Sequence, residues 1–157
     1  MLVRDAMTRR VEPIGPDEPL VAAARRMREF DVGALVVCAD GRADGRVIGF
    51  ITDRDIVVRA IAAGRDPAVA NVRGAMTAYV VECADDEDLA EAAARMEERA
   101  VRRAVVFDSA RQLVGMLSVD DIALHSQTLA GEIIEHARAP ERPVHRGGWP
   151  WWEVPAR

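Results

Sequence analysis

Basic charge is in short supply in this sequence. Lys and Arg total 21 against 26 Asp and Glu, for a net charge of −5 and a pI near 5.3. A protein that grips the phosphate backbone normally carries a basic face, so no nucleic-acid partner is expected. No apolar run approaches the roughly 20 residues of a membrane helix, so no membrane partner is expected either. The start, Met1-Leu2-Val3-Arg4-Asp5, lacks the apolar core of a secretion signal, and the expected location is the cytoplasm. The two cysteines, Cys38 and Cys83, stand alone in Val-Val-Cys and Val-Glu-Cys contexts that suit small buried hydrophobes; their spacing gives little support to a disulfide or a metal pair. His125, His136 and His145 do not converge at a ligand spacing, so no metal site is expected. A nucleophile elbow, a P-loop and paired catalytic carboxylates are all missing. Asp120 and Asp121 are adjacent and should diverge around a helix. These absences argue against an enzyme and against a required cofactor. What is present, 50% apolar and 30% charged residues, is an ordinary globular balance for one compact domain or two small ones sharing a core.

The sequence says nearly the same thing twice. Asp5-Ala6-Met7-Thr8 returns as Gly74-Ala75-Met76-Thr77, and Ala22-Ala23-Ala24-Arg25-Arg26-Met27 returns as Glu91-Ala92-Ala93-Ala94-Arg95-Met96. Val32-Gly33-Ala34-Leu35-Val36-Val37 returns as Val101-Arg102-Arg103-Ala104-Val105-Val106. Gly49-Phe50-Ile51-Thr52-Asp53-Arg54-Asp55-Ile56 returns as Gly115-Met116-Leu117-Ser118-Val119-Asp120-Asp121-Ile122. The offset is 69 through the Val-Val segment (76 − 7) and 66 after it (121 − 55), so the second copy's turn is shorter. An internal repeat dictates how a fold is assembled. Two copies of one unit are expected to pack about a pseudo-twofold axis and to create two related clefts.

Each copy reads strand, helix, strand, strand, helix, an α/β (α+β) class. In the first, Val11 to Ile14 is extended, and Asp17 is the expected N-cap, with Glu18 and Pro19 in the first turn. Leu20, Ala23, Ala24, Met27 and Phe30 form one apolar helix face. Ala34–Cys38 and Val47–Ile51 are strands, and a helix from Asp53 stops at Gly64. In the second, Asp85 or Asp86 is the expected cap of a helix to about Glu98. Ala104–Phe107 and Leu113–Leu117 form the hairpin, and one helix runs from Val119 to about Ala137. The expected organisation is repeat 1 over 1–63, a linker over 64–72, repeat 2 over 73–124, a helix extension over 125–139 and a Pro/Trp-rich tail over 140–157. A tail of this composition cannot build its own core.

Thr52-x-x-Asp55 and Ser118-x-x-Asp121 each lie where a strand ends and a helix begins. One reading is a capping box, in which hydroxyl and acid satisfy orphan N–H groups reciprocally. The other is ligand binding. A short carboxylate at a helix start can accept both hydroxyls of a ribose, while the nearby hydroxyl and backbone N–H groups hold a phosphate. The readings are compatible, because capping need not fill every lone pair of the acid.

With these motifs in order and in duplicate, residues 3 to 124 resemble a tandem pair of CBS domains, a Bateman module. The resemblance implies a regulatory module that binds an adenosine-containing ligand in clefts between repeats and signals to a protein partner on another chain. It also implies a homodimer formed through helix faces. Carried over, Thr52 and Asp55 serve one site, and Ser118 and Asp121 the other. Val32, Gly33 and Ala34, or Val101 and Arg102, match the segment that flanks the adenine. Asp121 is then expected with Met7, Thr8 and Val32, and Asp55 with Met76, Thr77 and Val101. Arg103 is the basic group expected near a phosphate in the latter site.

This chain departs from the family pattern at Val36 and Val105, where proline is common, and in the residue preceding each acid. That residue is Arg54 in one copy and Asp120 in the other. Like-charge repulsion at Asp120 disfavours a polyphosphate. The Asp55 site is therefore expected to take a nucleotide such as AMP, ADP or ATP. The Asp121 site is expected to be empty, weaker, or suited to adenosine or S-adenosylmethionine. The alternative function is a ligand-independent interaction and dimerisation module, in which both acids only cap helices. Trp149, Trp151 and Trp152, the chain's only tryptophans, are read as a patch over an exposed apolar surface or as an indole competing for an adenine cleft.

Overall fold

The computed structural model describes residues 1–9 and 11–138. The tail over 140–157, with its tryptophans and His145, lies outside them. The chain forms two compact units, Glu12–Tyr79 and Met1–Val11 with the described residues from Val80 onward. Each unit holds one copy of the repeat, joined by the short segment that precedes the other copy in sequence.

In the unit of Glu12–Tyr79, β1 (Pro13–Ile14) pairs parallel with β2 (Ala34–Cys38), which pairs antiparallel with β3 (Val47–Thr52). The helix between β1 and β2, α2 (Leu20–Phe30), buries Leu20, Ala23 and Met27 against Leu35, Val37 and Ile51. Ala24, expected on that face, is exposed. The short helix α1 (Val3–Ala6) precedes all of these and belongs to the other unit.

The cap of α2 is Pro19 rather than Asp17. Pro19 has no side-chain oxygen to offer, and the orphan donors find main-chain partners instead: Leu20 N–H donates to Ala70 O at 2.8 Å and Val21 N–H to Pro67 O at 2.9 Å. Asp17 faces Arg73, and Glu18 accepts from Gly15 N–H and Arg26.

After β3 the chain turns straight into α3 (Asp53–Asp55), which continues as a π-helical stretch over Ile56–Ile61. The wider turns show as Ala62 N–H donating to Val57 O and Arg65 N–H to Ala60 O. Gly64 ends the helix at φ 70°, a left-handed conformation that glycine adopts without a Cβ penalty.

The second unit repeats the plan with β4 (Glu82–Ala84), α4 (Leu89–Glu98), β5 (Arg103–Phe107) and β6 (Leu113–Ser118), in the same sheet order and pairing senses. Asp88, not Asp85 or Asp86, caps α4 by accepting from Ala90 N–H, while Leu89 N–H donates to Met1 O. Val36 and Val105 stand inside β2 and β5. Their N–H groups donate to Glu12 O and Val81 O, bonds that proline could not make.

The expected single helix after Val119 is two. Ser126 is extended at φ −153° and separates α5 (Val119–His125) from α6 (Gln127–Arg138). The break lets α6 fold back onto α4 and α5, where Ala130 and Ile133 complete the core with Ala93, Met96 and Ile122.

Candidate functional site

Both [ST]-x-x-D motifs sit at a strand-to-helix junction and both form complete capping boxes. Thr52 Oγ1 accepts from Asp55 N–H at 3.1 Å, and Asp55 Oδ2 accepts from Thr52 N–H at 3.0 Å and from Thr52 Oγ1 at 2.8 Å. In the other copy Asp121 N–H donates to Ser118 Oγ at 3.1 Å, and Asp121 Oδ2 accepts from Ser118 N–H at 2.8 Å and from its hydroxyl at 2.5 Å. In each case one carboxylate oxygen, Oδ2, makes the cap. The other, Oδ1, faces away from the box, and there the copies diverge.

Asp121 Oδ1 accepts from the Thr8 hydroxyl at 3.1 Å. Thr8 is held in place by two main-chain bonds to Met116 on β6. Asp55 Oδ1 instead lies 3.5 Å from Arg59 Nε, one turn along the same helix. Arg59 Nη1 donates to Ala75 O, Met76 O and Thr77 Oγ1 at 2.9, 3.0 and 3.1 Å. Thr77 matches Thr8 and makes the same pair of main-chain bonds, to Phe50 on β3. The Asp55 side chain is 14% exposed and that of Arg59 47%. Met7–Thr8 thus lies with Asp121, and Met76–Thr77 with Asp55 through Arg59.

These close approaches depend on a glycine opposite each threonine. A Cβ on Gly49 would lie 2.3 Å from Thr77 O, and one on Gly115 would lie 2.5 Å from Met7 Sδ and 3.0 Å from Thr8 O.

The segments expected beside an adenine lie against the same junctions. Gly33 O accepts from Asp53 N–H at 3.2 Å, and Arg102 O accepts from Val119 N–H at 3.1 Å. Val32 and Val101 are half-buried, Gly33 and Arg102 exposed, and Ala34 and Arg103 begin β2 and β5. Arg54 and Asp120 are both exposed at the first turn of their helices.

Arg59 is not among the residues expected from the motifs, yet the sequence carries two signals for it. It lies four residues beyond Asp55, the spacing that brings helical side chains together, and its counterpart at the offset of 66 (125 − 59) is His125.

The CBS domain family matches residues 3–61 and 69–127, most of the chain and both copies. The chain belongs to the CBS-domain family. As a CBS pair it is a regulatory module. Hypoxic response protein 1 of Mycobacterium tuberculosis is 43% identical over 124 residues, covering 78% of this chain and 82% of that protein. A crystal structure of that protein with two coordinated zinc ions superposes with a TM-score of 0.64 at 40% identity, covering 80% and 99%. Among the described residues here, no group of three or more His, Cys, Asp or Glu side chains is placed to hold a metal ion. The CBS protein TA0289 of Thermoplasma acidophilum gives a TM-score of 0.75 at 24% identity, covering 88% and 77%. The CBS pair of protein MJ0100, in complex with 5′-methylthioadenosine and S-adenosyl-L-methionine, gives 0.64 at 24%, covering 80% and 98%. At that identity the last two likenesses establish the fold alone. No helix among the described residues is long and apolar enough to cross a membrane.

Proposed function

We propose that this CBS pair senses an adenosine-containing ligand, with Asp55 and Asp121 as the ribose-binding acids, and passes the binding signal to a protein partner. The observation that carries the reading is the division of labour within each carboxylate. Oδ2 is spent on the helix cap, while Oδ1 is met by groups a ligand can replace or share: a threonine hydroxyl in one copy and a half-exposed arginine in the other. A ribose diol offers the same kind of donors. The adenosyl ligands of the MJ0100 complex make this ligand class chemically reasonable. The pairing of Asp121 with Val32, and of Asp55 with Val101 and Arg103, belongs to the proposal. So does the assignment of AMP, ADP or ATP to the site with Arg54, and of adenosine or S-adenosylmethionine to the site with Asp120. Signalling requires a ligand whose affinity differs between two conformations.

The completeness of both capping boxes favours a second reading, a ligand-independent interaction module. A thermal-shift screen on ligand-stripped protein separates the two. The panel is AMP, ADP, ATP, NAD, S-adenosylmethionine and adenosine. Ligand at about a hundred times its Kd adds roughly 2.7 kcal/mol and raises Tm by several degrees. A selective shift abolished by Asp55→Ala or Asp121→Ala supports sensing. A flat panel leaves the interaction module.

Homodimerisation belongs to both readings. The helix over 53–61 exposes Val57 (57%) and Ile61 (49%) one turn apart. Ala24 is exposed on α2, whereas its counterpart Ala93 is buried under α6. An apolar face of this kind suits a second copy of the chain.

A further inference from the structure

We propose that Arg59 is the specificity-determining residue of the Asp55 site, and that it selects a phosphate-bearing adenosine ligand there. This inference rests on the ribose-binding role given above to the two acids. Its ground is a difference between two otherwise matched arrangements. Asp55, Thr77 and Phe50 in one unit correspond to Asp121, Thr8 and Met116 in the other, with the same capping bonds and the same pair of main-chain bonds. The fourth position differs, Arg59 against His125.

That difference contributes one unit, and Arg54 against Asp120 contributes more, to a charge difference at the acid. Asp53, Arg54, Asp55 and Arg59 sum to zero over the first turns of one helix. The matching Val119, Asp120, Asp121 and neutral His125 sum to −2. A ligand phosphate brought beside Asp55 meets a carboxylate whose outer oxygen already has a guanidinium 3.5 Å away. Beside Asp121 it meets two acids and no fixed cation on the same helix. The Coulomb energy of one unit charge at about 4 Å amounts to about fivefold in binding even under full water screening, and to more where solvent is partly excluded.

Arg59 is also positioned to supply the contact itself. Its Nη1 group is spent on Ala75 O, Met76 O and Thr77 Oγ1, and Nε faces Asp55. Nη2 takes part in none of these four contacts, on a side chain that is 47% exposed. Three anchors on Nη1 fix the plane of the guanidinium, so its orientation need not be organised when ligand binds. An arginine held in this way presents planar, directed donors that a lysine would not.

The test is titration calorimetry of the full chain with AMP and with adenosine, comparing wild type, Arg59→His, Arg59→Lys and His125→Arg. The quantity read is the ratio of the two affinities, which a general loss of stability does not move. Wild type is expected to prefer AMP by about fivefold or more at one site. Arg59→His should bring that ratio close to one, and Arg59→Lys should retain part of it. His125→Arg, a change at an exposed position, should create a second AMP-preferring site, which keeps the test decisive even where Arg59→His fails to fold. A preference for AMP that survives in Arg59→His, or a His125→Arg protein with no second AMP site, overturns the role of Arg59 while leaving the ribose acids standing. Absence of binding by either ligand in wild type overturns the ligand-sensing reading and this inference together.

Discussion

Thr8 donates a 3.1 Å hydrogen bond to Asp121 across 113 residues of sequence, whereas Thr77, its counterpart, accepts from Arg59. The same threonine in the same strand-edge position thus ties a ribose-acid candidate to its neighbour directly in one copy and through a cation in the other.

The Thr8–Asp121 bond should be measurable as a coupling. Thr8→Val is expected to cost about 1 kcal/mol, the net worth of one hydrogen bond. Asp121→Ala should cost about 1–2 kcal/mol, because it removes the return half of a capping box. Urea denaturation of both single variants and the double variant should give a non-additive sum. Strict additivity would mean that the bond contributes nothing to stability.

Gly49→Ala should be more damaging than a routine glycine substitution. Its Cβ would lie 2.3 Å from a main-chain carbonyl, Thr77 O, which cannot rotate away as a side chain could. Forcing the strands apart should cost about 1–3 kcal/mol by the usual scale of overpacking. Gly131→Ala on α6, where the added methyl meets nothing within 4 Å, is the control and should be neutral or mildly stabilising. Thermal melts of the two variants decide the matter.

Both cysteines are buried and free, and both thiols should be sluggish nucleophiles. Burial, with Asp40 and Asp44 adding to it, pushes the Cys38 thiol from 9.0 up to about 11. Burial and then Glu87 push Cys83 up to about 12, against a smaller opposing pull from Arg95. The folded state therefore holds these protons more tightly than the unfolded chain. Their contribution to stability is intact below about pH 9 and is lost as pH rises from there toward 11 and 12. Reaction with a disulfide reagent at pH 8 should be slow in the native protein and rapid for both thiols in urea. Fast native labelling would contradict the burial.

Helix α6 should be part of one unit's core rather than an appendage. Ile133 is fully buried, and Ile133→Ala should cost about 2–5 kcal/mol. Leu124→Ala, at 84% exposure, should change stability by less than about 0.5 kcal/mol. Equal effects of the two substitutions in denaturant melts would show that α6 does not dock.

Paired Val57→Asp and Ile61→Asp substitutions should convert a dimer to a monomer in analytical ultracentrifugation, with the fold retained by circular dichroism. A dimer that persists would place the interface elsewhere.

The repeat, the order of strands and helices, and both junctional acids were legible in the residues themselves. Apolar runs such as Leu35-Val36-Val37 and Ala104-Val105-Val106 read as buried strands because they are short and rich in β-branched valine. The helix starts were less legible. Asp17, Asp85 and Asp86 all have good capping chemistry, yet Pro19 and Asp88 hold the position. The carbonyls of Ala70, Pro67 and Met1 reach the first N–H groups of α2 and α4 and make a side-chain cap there partly redundant. The helix expected as continuous to about Ala137 breaks at Ser126, because burying Ala130 and Ile133 against α4 is worth more than continuing the helical bonds into solvent. Arg59 could be placed on the Asp55 face by spacing, but its contacts with residues 75–77 come from a segment far along the chain.

By itself the sequence determined that there would be two copies of one supersecondary unit, each with a strand-to-helix turn carrying a hydroxyl and an acid three residues apart. Local patterning suffices for that, because periodicity, caps and turns act over a few residues. Only the tertiary structure decided that Met1–Val11 completes the copy beginning at Val80, and that the segment before Val80 stays with the first. Met1–Thr8 and Ala70–Thr77 carry nearly the same donors and acceptors at the offset of 69 (77 − 8), so no local preference distinguishes their destinations. The choice falls to long-range partners: the main chain at Asp85–Leu89 and Met116 for one segment, and at Pro16–Leu20 and Phe50 for the other.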